Sequence, residues 1–298
     1  MKTNNKILII LPNFKTMIKL KKIYITLLIG GCFSFGNIAL NLAESFAQDN
    51  PETPQENVLE EPEETPSLTA IDWYNKGVDE IEARNYQGAI AAFSESIKLD
   101  PTDADAYYNR GYSYLVLEKF EESIEDYDQA IELKSDFAYA YGNRCYAYYQ
   151  LKNHEQAITD CSKAIELESK YGDFYIYRGN AKDDLEMHEA AILDYNQAII
   201  ISPNNPKAYY NRALAYNRLG KSLQAVEDYS KAIQFNTNFA DAYHNRGVTR
   251  FKLEEKEKAI ADLRKAAQLF RQQGNTDHAE KIFKYHQTIR KRRNLRTQ

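Results

Sequence analysis

Hydrophobic and small residues recur along this chain with a spacing of three and four, and that spacing itself repeats every 34 residues. Six segments carry it end to end: 70–103, 104–137, 138–171, 172–205, 206–239 and 240–273. The fourth residue of each is aromatic: Trp73, Tyr107, Tyr141, Tyr175, Tyr209 and Tyr243. The eighth is small, as Gly77, Gly111, Cys145, Gly179, Ala213 and Gly247, and the twentieth is alanine or serine throughout. Positions 4, 8 and 11 share one helical face, and positions 20, 24 and 27 share another. Each unit therefore reads as two amphipathic helices joined by a short turn. Small residues bring the pair close, and the aromatic side chains fill the space between units. A fixed period of this length means an array in which each unit buries its core against its neighbours.

Trp73-Tyr74-Asn75-Lys76-Gly77, followed by Ala89, Phe93 and Pro101, resembles the tetratricopeptide repeat. The resemblance covers residues 70–273. It departs at the closing proline, which only Pro101 and Pro203 keep. The fold expected is all-α: an α-solenoid of six helix-turn-helix repeats, with residues 274–298 as a capping helix and basic tail. In that last segment Asn275, Thr276 and Asp277 can start a helix whose stripe is Ala279, Ile282, Phe283, His286 and Ile289.

Comparing the units with one another adds pairings. Position 7 is Lys76, Arg110, Arg144, Arg178, Arg212 and Arg246, while position 23 is Ala92, Asp126, Asp160, Asp194, Asp228 and Asp262. The unit without the aspartate is the one without the arginine. An Arg–Asp pair inside each of repeats two to six is expected; the alternative joins each aspartate to the next repeat's arginine. Cys145 and Cys161 stand at positions 8 and 24 of the third repeat, where they form either a disulfide across the hairpin or a pair of buried free thiols.

The N-terminal 47 residues differ in kind. Lys19, Lys21 and Lys22 precede an apolar run from Ile23 to Ile29, and Ser45-Phe46-Ala47 offers a signal-peptidase site. This reads as a signal peptide, starting at Met17, with a retained N-terminal membrane segment as the alternative. Ile29-Gly30-Gly31-Cys32 also resembles a bacterial lipoprotein box, which would lipidate Cys32. Residues 48–69, with four prolines and seven acidic side chains, read as a disordered linker. Cleavage after Ala47 leaves 32 of the 38 basic and 42 of the 43 acidic residues, a balance that argues against nucleic-acid binding. The expected location is the periplasm or another extracytoplasmic compartment of a bacterium, with membrane contact through the N-terminal segment or the basic tail Arg290–Arg296 as a further possibility.

In the family that this chain resembles, the first helices line a concave surface and ligands cross positions 2, 5, 6, 9, 12 and 13. Position 6 here is Asn75, Asn109, Asn143, Tyr177, Asn211 and Asn245, and a ladder of carboxamides suits an extended peptide backbone. It is similar to the asparagine ladder in the repeats of O-linked N-acetylglucosamine transferases, although no transferase domain follows. Tyr74, Tyr108, Tyr112, Tyr146 and Tyr210 stand beside it, with His244 the only histidine on the groove. The carboxylate clamp that chaperone co-factors of this fold use needs lysines and an arginine where repeats four to six have Ile176, Asp241 and Asn245. No phosphate loop, paired-cysteine metal motif or His-Glu-x-x-His is present, so no cofactor and no enzyme is expected. The expected function is a scaffold that binds protein or peptide partners, with a regulatory or substrate-recruiting subunit of a separate enzyme as the alternative.

Overall fold

The computed structural model describes residues 68–283, and among these every regular element is a helix. Repeats one to six each hold two: 70–82 with 86–99, 104–116 with 120–133, 138–150 with 154–167, 172–184 with 188–201, 206–218 with 222–235, and 240–252 with 256–272. The chain divides into two compact units, residues 1–101 and 102–298. In the first, Thr69 caps the opening helix. Its hydroxyl accepts from the Asp72 backbone N–H at 3.2 Å, and its own N–H donates to the Asp72 carboxylate at 2.9 Å. That hairpin closes on Phe93, which is fully buried and meets Tyr74 edge to face at 5.5 Å.

The second unit stacks five hairpins. Asp103, Asn153, Asn205 and Asn275 cap helix starts with their side chains, and Pro206 sits in the first turn, where its missing N–H costs nothing. The second helix of each repeat packs on the first helix of the next. First helices of successive repeats also touch one another from repeat two to repeat five, so they form the inner side of the stack. The ring or its substitute at position 24 is the centre of each hairpin: Tyr127, Cys161, Tyr195, Tyr229 and Leu263 are all at most 1% exposed. A β-carbon at Gly179 would lie 2.6 Å from the Tyr195 ring, which is why position 8 stays small.

Each Arg–Asp pair lies within its own repeat. Arg110–Asp126, Arg178–Asp194 and Arg212–Asp228 close at 2.6 Å, and Arg144–Asp160 and Arg246–Asp262 at 2.7 Å. The guanidinium does more than the sequence implies. It also reaches position 25 of the preceding repeat: Asp128 from Arg144, Ser162 from Arg178, Asn196 from Arg212 and Ser230 from Arg246. One planar fork thus ties hairpin to hairpin as well as helix to helix. Cys145 and Cys161 are joined by a disulfide with Cα atoms 5.4 Å apart, filling the place that a glycine and a ring take in other repeats.

The turn between the two helices of every repeat puts its fifteenth residue in the left-handed region. Arg84, Glu118, Lys152, Glu186 and Glu254 hold φ between 59° and 64°, and only Gly220 supplies the residue that this conformation favours. Glu118→Gly is expected to raise stability by up to about 1 kcal/mol, seen as a higher urea midpoint at unchanged slope. After repeat six, residues 276–283 are helical and bury Ala279 and Ile282 against Leu263, Leu269 and Phe270. Phe283 is 42% exposed. The expected signal segment, Cys32, the acidic linker up to residue 67, and the tail with His286, Ile289 and Arg290–Arg296 lie outside the described residues.

Candidate functional site

The inner side of repeats two to six carries positions 2, 5, 6, 9, 12 and 13 of each first helix. Its aromatic content is high because position 5 has to fill the gap between neighbouring first helices. Tyr108 and Tyr210 do so in repeats two and five: each ring lies 4.7 Å from the aromatic residue that ends its repeat, Phe137 and Phe239 respectively. Their hydroxyls then meet the next repeat's position 6. Asn143 donates its amide to Tyr108 at 3.2 Å, and Asn245 donates to Tyr210 at 2.9 Å.

These bonds correct the expected ladder. Asn109 and Asn143 are at most 1% exposed, so they present no open carboxamide to a ligand. Asn211 has no tyrosine before it, since position 5 of repeat four is Ile176; it donates instead to Asn180 at 2.8 Å. Asn143, Asn211 and Asn245 are fasteners between repeats, and those left half-exposed in this unit are Asn211 and Asn245. In the first unit Asn75 is half-buried beside the buried Tyr74. Tyr108 and Tyr112 are 5% exposed, so they wall the inner side more than they project from it.

Repeat four breaks the pattern in a coordinated way. Position 5 of repeat three is Gly142, and the missing ring is supplied by Phe174 from repeat four. A β-carbon at Gly142 would stand 2.0 Å from that ring. Phe174 lies 4.7 Å from Tyr171, the same stacking that Tyr108 and Tyr210 make. A phenyl ring has no hydroxyl to receive an amide, and position 6 is accordingly Tyr177 rather than asparagine. Tyr177 is partly buried on the Cys145–Cys161 cluster, with its ring 5.0 Å from partly buried Tyr146. Repeats three and four therefore set two partly exposed rings side by side on the inner helices.

Polar groups surround it. Tyr149 donates to Asp184 at 3.1 Å, and Arg218 of repeat five pairs with buried Asp183 and lies 3.8 Å from Asp184. Nδ1 of His188 is 2.6 Å from the other Asp183 oxygen. Tyr195 donates its buried hydroxyl to Asn180 at 2.9 Å. None of Tyr149, Asp183, Asp184, Asn180 or Arg218 was singled out from the sequence as a groove residue. The signal available was their fall on positions 9, 12 and 13.

His244 is also displaced from its expected role. Its ring lies 5.6 Å from His278 of the capping helix, which in turn meets Phe270 at 4.5 Å. Burial and then the neighbouring His278 hold the His244 pKa below the usual histidine value. A depressed folded value means that the unfolded chain takes up the proton first. The contribution is fully present above the unfolded value of about 6.5 and is lost as the pH falls from there through the lower folded value. Capping-helix protection in hydrogen exchange is expected to decline between pH 7 and pH 5.5, and His244→Gln is expected to flatten the decline. Among the described residues no three His, Cys, Asp or Glu side chains are grouped to hold a metal ion, and no helix is long and apolar enough to cross a membrane.

Comparison with known proteins follows this geometry. Tetratricopeptide repeat models match residues 104–137, 138–171, 206–239 and 240–273, and a TPR repeat model matches 82–117 and 184–220. No curated protein matches the chain. Among solved structures, the MamA protein is 26% identical with a TM-score of 0.52, over 58% of this chain and 94% of its own. YrrB, titled a TPR protein with an unusual peptide-binding site, is 26% identical with a TM-score of 0.50, over 64% and 98%. A chain of the APC/C hetero-tetramer Cut9–Hcn1, at 17% identity and a TM-score of 0.63, covers 73% of this chain and 43% of its own, and shares the fold alone.

Proposed function

The chain belongs to the tetratricopeptide repeat family, and from that premise we propose that it is a non-enzymatic scaffold holding an extended segment of a protein partner along the inner side of repeats two to six. The observation that carries this is the partly exposed ring pair Tyr146 and Tyr177 on the face that the first helices share, with the Tyr149–Asp184–Arg218 polar cluster on the same helices. Tyrosine gives large contact area at low entropic cost, and side-chain amides and carboxylates beside it fix a backbone. The peptide-binding character named for YrrB is a supporting analogy. Chemistry of its own has little to stand on here. Asp183 and His188 are committed to each other and to Arg218, and a groove of this kind supplies contacts rather than a reacting centre.

Its setting, on this reading, is an extracytoplasmic compartment of a bacterium, in the assembly of an envelope or membrane complex. The basis is Lys19–Lys22 with the apolar run that follows, the site at Ala47, and the Cys145–Cys161 disulfide, which suits an oxidising compartment. Mapping the mature N-terminus tests that setting: Gln48 or an acylated Cys32 supports it, and an uncleaved, unmodified cytoplasmic chain overturns it. Crosslinking followed by co-purification tests the scaffold role. Recovery of several structural proteins together supports it, whereas one dominant enzyme would replace it by the reading as a regulatory or substrate-recruiting subunit.

A further inference from the structure

Where repeat three meets repeat four, the groove carries a carboxylate among rings. Asp173, at position 2 of repeat four, is half-buried, with the Tyr171 hydroxyl and the Asn205 side chain beside its carboxyl. Tyr171 meets Tyr139 edge to face at 5.7 Å, and both are half-exposed. Tyr177 stands one helical turn on from Asp173, with Tyr146 against it. Burial raises the Asp173 carboxyl, and Lys207 at the exposed edge draws it back only in part. Asp105 and Asp241 hold the same position in repeats two and six, so an acid in the first helical turn is explained by the helix dipole. The surrounding rings are not explained that way. They follow from Phe174 taking over the place of a position-5 ring: Tyr139 and Tyr171 pack on it at 6.0 and 4.7 Å, and Tyr177, packed on the Cys145–Cys161 cluster and Tyr146, takes the place of an asparagine.

We propose that this corner is a cation subsite: Asp173, walled by Tyr139, Tyr171 and Tyr177, takes the lysine or arginine side chain of the bound segment. The proposal rests on the peptide-binding reading above and names the residue that such a segment must carry. A carboxylate with tyrosine faces around it attracts an ammonium or guanidinium through charge and ring quadrupole together. The molecule itself uses that pairing repeatedly, stacking Arg144 on Tyr141 at 5.3 Å and Arg246 on Tyr243 at 5.5 Å. The charge is the inverse of a carboxylate clamp, so the groove selects an internal basic residue and not an acidic chain end. Lys207, at position 2 of repeat five, is the groove cation that acts on Asp173, and it lies exposed where an incoming side chain can displace it, while Arg218 is held by Asp183 and Asp184.

The test is an array of random ten-residue peptides probed with the full chain and with Asp173→Asn, a change that keeps the shape of the side chain. Lysine and arginine are expected to be enriched among peptides bound by the unaltered chain, and that enrichment is expected to vanish for the variant. For the strongest peptide, replacing its lysine or arginine by norleucine should weaken binding about tenfold to the unaltered chain and less than twofold to Asp173→Asn. Matching circular dichroism melts of the two proteins check that the variant is folded. Binding without basic enrichment, or enrichment that survives Asp173→Asn, overturns the subsite and leaves the peptide-binding reading intact. No binding to either protein overturns both.

Discussion

Phe174→Ala is expected to cost about 3–5 kcal/mol, among the largest losses that a single truncation in this array can give. The ring is fully buried, although it belongs to a position that is alanine in repeats two, three, five and six. It occupies the volume above Gly142 that a repeat-three side chain would otherwise fill. The loss should appear in hydrogen exchange as opening at the junction of repeats three and four, since an array comes apart at its weakest interface. The explanation also predicts a rescue. Gly142→Tyr, Phe174→Ala and Tyr177→Asn made together rebuild the Tyr108–Phe137–Asn143 arrangement one repeat later, and should recover most of the lost stability. If Phe174→Ala melts with the unaltered chain, the ring is not the filler described.

Asp228→Ala is the second, with an expected cost of about 3–5 kcal/mol, because it strands the Arg212 guanidinium in a mostly buried place. Asn196 and the ring of Tyr209 remain in contact with it, but neither carries a balancing charge. The pair itself is not a large source of stability. Burial pushes the Asp228 carboxyl up despite the hydrogen bonds and charge of Arg212, which is the signature of a costly desolvation. The double replacement Arg212→Met with Asp228→Leu should accordingly fall within about 1.5 kcal/mol of the unaltered chain in urea. A double variant as unstable as Asp228→Ala would mean that the ion pair holds the hairpins together by attraction. Near-neutrality would leave it the task of fixing how they align.

Much of this was legible before the structure. The 34-residue period dictates two helices per unit, because small and aromatic positions at three- and four-residue spacing admit no other burial. The Arg–Asp pairs were legible too, since both partners sit in one hairpin of fixed length. What crosses from one repeat to the next was not. The partners of Arg144, Arg178, Arg212 and Arg246 at position 25 differ in type, being Asp128, Ser162, Asn196 and Ser230, so no pattern marks them. The asparagine row misled because an amide at position 6 suits a ligand or a neighbouring tyrosine equally well. A clue was present in the concurrence of Tyr108 with Asn143 and of Tyr210 with Asn245, set against Gly142 with Tyr177. Read as pairs across repeats, those residues describe a fastener and one of its replacements, the other being Ile176 with Asn211, which turns to Asn180. His244 lay on the groove by position, and only the approach of the capping helix shows it covered.

The central claim is that the first helices of repeats two to six grip an extended segment while the second helices face away. Photo-crosslinking resolves this directly. A benzoylphenylalanine is placed in turn at Tyr146 and Tyr177 on the inner side, and at Leu193 and Ile200, which are 69% and 70% exposed on the second helix of repeat four. With the strongest peptide from the array as ligand, the account predicts covalent adducts at 146 and 177 and none at 193 and 200. Adducts at 193 and 200 with none at 146 and 177 would contradict it.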